Sequence, residues 1–212
     1  MKRLVRLLEK TTENLPKEKT LEEMFDNIAK ELIFYHLITT PKGLCKIQEI
    51  EFYYHSVDHP DPYVHKNKRQ LEFCNWYFHR FKEVDSFLKF SRNGVDITFG
   101  NKNKDIYGGI LIRKIFNIDT KEKIKGINHV VKYLISDISK EEITKLATEN
   151  INIFDDNYPL FLKGTKKENF HKLNKAIRNG LSIKDNLLHK EYYNKKYCYF
   201  VDIFSEDSFY NF

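Results

Sequence analysis

The stretch Glu49-Ile50-Glu51-Phe52-Tyr53-Tyr54-His55 constrains this chain more than any other. Strand side chains alternate between faces, so Glu49, Glu51 and Tyr53 point one way and Ile50, Phe52 and Tyr54 the other. One face is apolar and suits a core, while the other carries two carboxylates and suits a cleft. The same alternation equally fits an ordinary half-buried strand. A loop rich in histidine and proline follows at once, His59-Pro60-Asp61-Pro62-Tyr63-Val64-His65. A second aromatic strand, Trp76-Tyr77-Phe78-His79-Arg80, comes next. Pro60 and Pro62 exclude a helix between the two.

A chain of 212 residues is read as one domain, residues 1–212, with helices over 1–44 and a sheet with the site over 45–204. Apolar residues make up 41% and charged residues of both signs 31%, a globular balance rather than a disordered one. No apolar run is long enough to span a bilayer, so no membrane partner is expected. The start, Met1-Lys2-Arg3-Leu4-Val5-Arg6, is basic but lacks the apolar core of a signal peptide. Cys45, Cys74 and Cys198 are an odd number and far apart, which suggests a reducing compartment. A cytoplasmic, bacterial-type monomer is the expectation. The net charge of +6 permits a polyanionic partner such as nucleic acid.

Periodicity predicts helices over Lys2–Asn14 and Leu21–Leu37, the second capped by Thr20 with Glu23 three residues on. Met24, Ile28, Leu32 and Tyr35 share a face of that helix. After the break at Thr39–Gly43, strands are expected at Cys45–His55, Glu72–Arg80, Phe87–Phe90, Gly94–Phe99 and Gly109–Phe116. Helices follow at Asn128–Ile135 and at Lys140–Thr148, where Ser139 and Glu142 form a capping pattern. Lys166–Lys184 reads as mixed helix and turn, and Tyr197–Phe204 as a last strand. The tail, Ser205–Phe212, is left unassigned. The fold class is α+β, a single mixed domain.

Several of these residues fall in an order that resembles the alkyladenine (3-methyladenine) DNA glycosylase family. They are Glu49-x-Glu51-x-Tyr53, Asp61-x-x-x-His65, Leu111-Ile112-Arg113, Gly126-Ile127-Asn128 opening a helix, Arg178-Asn179-Gly180-Leu181, and Tyr199-Phe200-Val201. The match runs from about residue 46 to 203. The stretch Glu49–Arg80, with Gly108-Gly109-Ile110-Leu111-Ile112-Arg113, is similar to short proteins related to that family. The resemblance implies a curved antiparallel sheet with N-terminal and flanking helices. It also implies excision of an altered base from DNA, with no cofactor and no metal, and a place at the nucleoid if the role is repair. The hairpin that follows the histidine in the glycosylases is not recognisable here, and Trp76–Phe90 stands in its place.

The resemblance assigns Glu51 to the water that attacks C1′, with Arg113 beside it, and Tyr53 and His65 to the walls around a flipped base. Breaking an N-glycosidic bond builds positive charge on the sugar, which a carboxylate stabilises while it takes a proton from water. An arginine beside that acid is expected to keep it ionised. Tyr77 and His79 are candidates for the opposite wall by position alone. DNA would be gripped by Lys66, Lys68 and Arg69, by Lys102, Lys104 and Lys114, and by Lys132 on the helix whose N-terminus opens at Gly126. Two other readings stand beside this one. His55, His59, His65 and His79 with Asp58 and Asp61 are possible metal ligands, although no zinc motif of known spacing is present. A scaffold that binds nucleic acid or a modified nucleotide without chemistry is the other.

Overall fold

The computed structural model describes residues 2–13, 18–79, 81, 94–166, 172–182 and 186–201. Among them the strands form one antiparallel open sheet of ten, accompanied by five helices, a single mixed α+β fold. Helices α1 (Lys2–Glu13) and α2 (Glu18–Tyr35) come first. Strands β1 (His36–Thr40), β2 (Gly43–Ser56), β3 (His59–Pro60), β4 (Phe73–Phe78), β5 (Val95–Phe99), β6 (Tyr107–Asn117) and β7 (Lys123–Lys125) follow. Then come α3 (Ile127–Ile135), α4 (Lys140–Thr148), β8 (Phe161–Gly164), β9 (Leu173–Ala176), α5 (Leu187–Tyr193) and β10 (Cys198–Val201).

The sheet runs β4-β5-β6-β2-β1-β8, and it forks at β2. Along one side β2 pairs with β6 from Cys45 to His55. Along the other it pairs first with β1, through Gly43–Lys46, and then with β10, through Glu49–Glu51. Strand β10 carries β9 beyond it, and β1 carries β8. Ile50, Phe52 and Tyr54 of β2 are buried against α2, as the alternation requires. Phe25 of α2 stacks on Phe52 with ring centroids 4.2 Å apart and meets Tyr54, Phe99 and Tyr197 edge-on. Leu4 and Leu8 of α1 are fully buried, each worth about 1.5–3 kcal/mol against exposure.

Most expected elements are present, and helix α2 and the lysine-rich region differ. Helix α2 begins at Glu18, so Thr20 lies in its first turn and does not cap it. It ends at Tyr35 rather than Leu37, because His36-Leu37-Ile38-Thr39-Thr40 pairs on both edges as β1. Its core face is Leu21, Phe25, Ile28, Ala29 and Leu32, with Met24 and Tyr35 at the margins. The lysine-rich region holds β9 over Leu173–Ala176, where mixed helix and turn was expected. Strands β7 and β8 and helix α5 had no expectation at all. The expected strand Phe87–Phe90, the residue Arg80, the end of the last strand and the tail Ser205–Phe212 lie outside the described residues. The capping box on α4 is present as read, with Ser139 Oγ accepting from the Glu142 N–H and the Glu142 carboxylate accepting from the Ser139 N–H.

Candidate active site

Two irregularities facing each other across β2 and β6 shape the site. Ile47 pairs with Ile115, Glu49 with Lys114, and Ile50 with Ile112. Gln48 is therefore an extra residue in β2, and Arg113 an extra residue in β6. A bulge resets the alternation of the strand that carries it. In β2 the reset keeps Cys45 and Ile47 on the core side together with Ile50, Phe52 and Tyr54, which leaves Glu49 and Glu51 on the opposite face. In β6 it leaves both Arg113 and Lys114 lining one cleft with Glu49. The bulges sit where β2 changes partner from β1 to β10, at the fork of the sheet.

Glu51 is fully buried at this point. Its Oε2 accepts from the Tyr53 hydroxyl at 2.9 Å and from Arg113 Nη1 at 3.2 Å. Its Oε1 accepts from the backbone N–H of Asn179 at 2.6 Å. Arg113 bridges both acids, with Nε 3.3 Å from Glu49 Oε1. Asn179 Nδ2 also reaches Glu49 Oε1, at 3.3 Å. Burial pushes the Glu51 carboxyl above its ordinary value; Arg113, the Asn179 N–H, the Tyr53 hydroxyl and Arg178 each pull it down without cancelling that effect. Arg113, expected to keep Glu51 ionised, does pull its carboxyl down, but less than burial raises it. The Tyr53 hydroxyl is itself pushed well up, by burial and then by the neighbouring Glu51, so it stays protonated and donates.

The Asn179 N–H is aimed at Glu51 by a buried ion pair. Arg178 and Asp61 are both inaccessible, with Nη1 2.6 Å from Oδ2 and Nη2 3.2 Å from Oδ1. Arg178 also donates to the carbonyls of Phe52 and Tyr192, at 3.2 and 3.3 Å. Its guanidinium lies over the ring of Tyr53, 4.8 Å from the centroid. The pair thus ties the 178–180 turn to the loop after β3 and to the middle of β2. Asp61 also caps that loop by accepting from the Tyr63 N–H.

Cross-strand pairing sets a row across the sheet: Tyr77, Asp96, Leu111, Glu51, Cys198 and Ala176. Partners in an antiparallel ladder point to the same face, so Tyr77 and Glu51 stand on one surface with Asp96 and Leu111 between. His79 Nε2 is 2.8 Å from Asp96 Oδ1. The ring of His79 stacks on Tyr77 at 4.6 Å and meets His65 edge-on at 5.4 Å. His65, Tyr77 and His79 therefore do come together. Tyr53 lies on β2 under Arg178, which covers one of its ring faces.

Beside Glu49 and Arg113 a cleft of about 460 Å³ opens, lined also by Lys114, Lys125, Gly126, Asn179 and Cys198. Lys114 and Lys125 are direct cross-strand partners, a like-charge pairing that is destabilising by itself, and both line the cleft with Glu49. Gly126 has φ +97 and caps α3, so the positive end of that helix faces the cleft. Lys132 is exposed, one helical turn and more along α3. Lys66 and Lys68 are exposed beside His65. Arg69 is committed elsewhere: its guanidinium donates to the carbonyls of Thr148 and Glu149 and to Asn150 Oδ1 at the end of α4. That corrects its expected phosphate role. Lys104 donates to the Glu13 carbonyl at the end of α1.

Of the histidines expected as alternative metal ligands, His65 and His79 meet edge-on, while His59 is turned into the core. His59 is buried among Tyr54, Tyr192 and Tyr197, and its ring is held down to about 4, by burial first and then by Arg178. Among the described residues no group of three or more His, Cys, Asp or Glu side chains is arranged to hold a metal ion. Asn179, Arg178, Asp96 and Lys125 were not named as site residues from sequence. Arg178 and Asn179 had a signal, the Arg-Asn-Gly-Leu turn; Asp96 sits in an apolar strand and Lys125 in a lysine-rich turn, and neither stands out there.

Taken together, fold and site define an α+β protein built on one forked antiparallel sheet, with a buried, arginine-bridged glutamate at the fork. No family model matches the chain. It is 32% identical over 175 residues to a protein of Acanthamoeba polyphaga mimivirus named "Uncharacterized protein L759", across 77% of this chain and 81% of that one. The chain belongs to the family of that mimivirus protein. Among the described residues no helix is long and apolar enough to cross a membrane.

Proposed function

We propose that the protein is a monofunctional DNA glycosylase that hydrolyses the N-glycosidic bond of a flipped, altered base and leaves an abasic site. The observation that carries this reading is the Glu51 carboxylate: it is buried, held by Arg113, the Asn179 N–H and the Tyr53 hydroxyl, and it stands beside a cationic cleft. Glu51 takes a proton from water and stabilises the positive charge that grows on the sugar. Its raised proton affinity makes it a better proton acceptor than an exposed carboxylate. Tyr53 with His65, Tyr77 and His79 supplies rings for an extruded base, each worth on the order of 1–3 kcal/mol by stacking. Arg113, Lys114, Lys125 and the N-terminus of α3 neutralise the phosphates that flank it. DNA is the partner, the protein acts as a monomer in the cytoplasm, and the chemistry draws on no cofactor.

One feature favours a second reading. Both Glu51 oxygens already accept hydrogen bonds, which also describes a structural acid beneath an anion-binding cleft. The two readings part on one experiment. Purified protein is incubated in EDTA with methylated and with deaminated DNA, and released bases are identified by mass spectrometry, with Glu51→Gln alongside. Release by the wild type and not by the variant supports the glycosylase. DNA binding that survives Glu51→Gln, with no base released by either protein, supports the binder.

A further inference from the structure

The cleft beside Glu49 is lined by three cations, Arg113, Lys114 and Lys125, and by one carboxylate. That carboxylate is already matched: Glu49 Oε1 lies 3.3 Å from Arg113 Nε, 3.3 Å from Asn179 Nδ2 and 3.8 Å from Cys198 Sγ. Among the described residues neither Lys114 nor Lys125 has an acid within ion-pair distance. The two lysines pair directly across β6 and β7, so they repel, and an anion held between them offsets that repulsion. Gly126, the N-cap of α3, lies on the same wall and adds the positive end of the helix. The wall toward β9 and β10 is apolar, from Ala176, Phe200 and Val201. The volume of about 460 Å³ is that of a small-ligand pocket. The cleft ends on Arg113 and Asn179, the residues that also bond Glu51. Lys114 stands two residues along and one strand over from Glu51, about 8 Å between backbones at ordinary strand geometry. That interval suits one sugar, with C1′ toward Glu51 and the 5′ phosphate toward the two lysines.

We propose that this cleft takes a phosphate monoester, and that the protein also hydrolyses free nucleoside 5′-monophosphates that carry an altered base. This rests on the glycosylase chemistry above and adds a second substrate class to DNA. A phosphate inside a strand carries one negative charge, whereas a monoester carries close to two at neutral pH. Two lysines without acids beside them match the second. In the step, the oxygen of water bonds to C1′ and one water proton passes to Glu51. The C1′–N bond breaks and its electron pair stays with the base. A base made cationic by alkylation, such as 7-methylguanine, then leaves as a neutral molecule and takes up no proton. The sugar keeps its phosphate, so the products are the free base and 2-deoxyribose 5-phosphate, with Glu51 protonated until it exchanges with solvent.

The test measures 7-methylguanine release from 7-methyl-2′-deoxyguanosine 5′-monophosphate, from the same nucleoside without phosphate, and from methylated DNA, each against a protein-free control. The expected kcat/KM is at least about a hundredfold higher for the monophosphate than for the nucleoside, the order that two charge-assisted hydrogen bonds supply. The double variant Lys114→Gln with Lys125→Gln should bring that ratio close to one. A ratio near one in the wild type, or one that survives the double replacement, overturns the proposal, and so does release from DNA alone. Release from the monophosphate and not from DNA supports it and removes DNA as the substrate. Release from none of the three overturns the glycosylase reading and this inference with it. Binding is read without turnover by thermal unfolding: inorganic phosphate should raise the Tm of the wild type and not that of the double variant. An equal rise in both, or no rise in either, overturns the monoester site.

Discussion

Glu51 and Arg113 show how one side chain's environment sets another's chemistry. Burial raises the Glu51 carboxyl and Arg113 opposes that rise. If Glu51 is the general base proposed above, it works only when ionised, so activity should fall as pH drops through a value above the carboxyl's ordinary one. Removing Arg113 removes a downward pull, so the acid limb of the pH–rate profile of Arg113→Gln should lie at higher pH than that of the wild type. His59 gives the complementary effect on stability. Its folded-state value is lowered to about 4 from an ordinary 6.5, so the unfolded chain binds more protons between those values. The stability it supports is complete above 6.5 and is lost as pH falls toward 4, by about 3 kcal/mol at most. Urea unfolding across that window should show the loss, and His59→Leu should flatten it. Arg178 is the third case. Arg178→Met leaves Asp61 buried without its ionic partner and should cost roughly 3–5 kcal/mol, while the double variant with Asp61→Leu should be more stable than the single one.

At the scale of elements, the bulges in β2 and β6 decide which residues form a site. Without the extra residue in each strand, Arg113 and Lys114 could not both face Glu49. Helix α4 owes its boundaries to local chemistry at one end and to a distant residue at the other. Ser139 caps its start, so Ser139→Ala should lower stability by about 1 kcal/mol in thermal unfolding, a shift of roughly 2–4 °C for a chain of this size. Arg69 holds its end by binding the Thr148 and Glu149 carbonyls. The helix thereby braces the loop that carries His65.

The molecule as a whole carries +6, and part of that charge gathers at the fork of the sheet, where Arg113, Lys114, Lys125 and the start of α3 line one cleft. If that cleft holds phosphates, DNA binding must release counterions. The slope of log K against log salt should then lessen by about 2 when Lys114 and Lys125 are both replaced by alanine. The same replacement of Lys102 and Lys104, in the turn after β5, should leave the slope near its wild-type value. Fluorescence anisotropy over a salt series measures both.

Much of this was legible in the chain alone. The alternation in Glu49–His55, the capping box at Ser139 and the helical spacing of α1 and α2 depend on neighbours a few residues away, and they hold in the structure. So do the nearness of Arg113 to Glu51 and the grouping of Tyr77 with His79. What tertiary structure decided is the rest of the site. Asn179 and Glu51 are 128 residues apart, and Arg178 and Asp61 are 117 apart. Their meeting depends on β10 taking the second half of one edge of β2, an arrangement no local pattern encodes. The start of β1 was read as the end of a helix and its last residues as a break, and the pairing on both edges outweighs the propensity of those five residues. Arg69 and Asp96 likewise take their roles from what lies across the sheet, since burial and partners, rather than residue type, determine whether a charge binds a ligand or holds a fold.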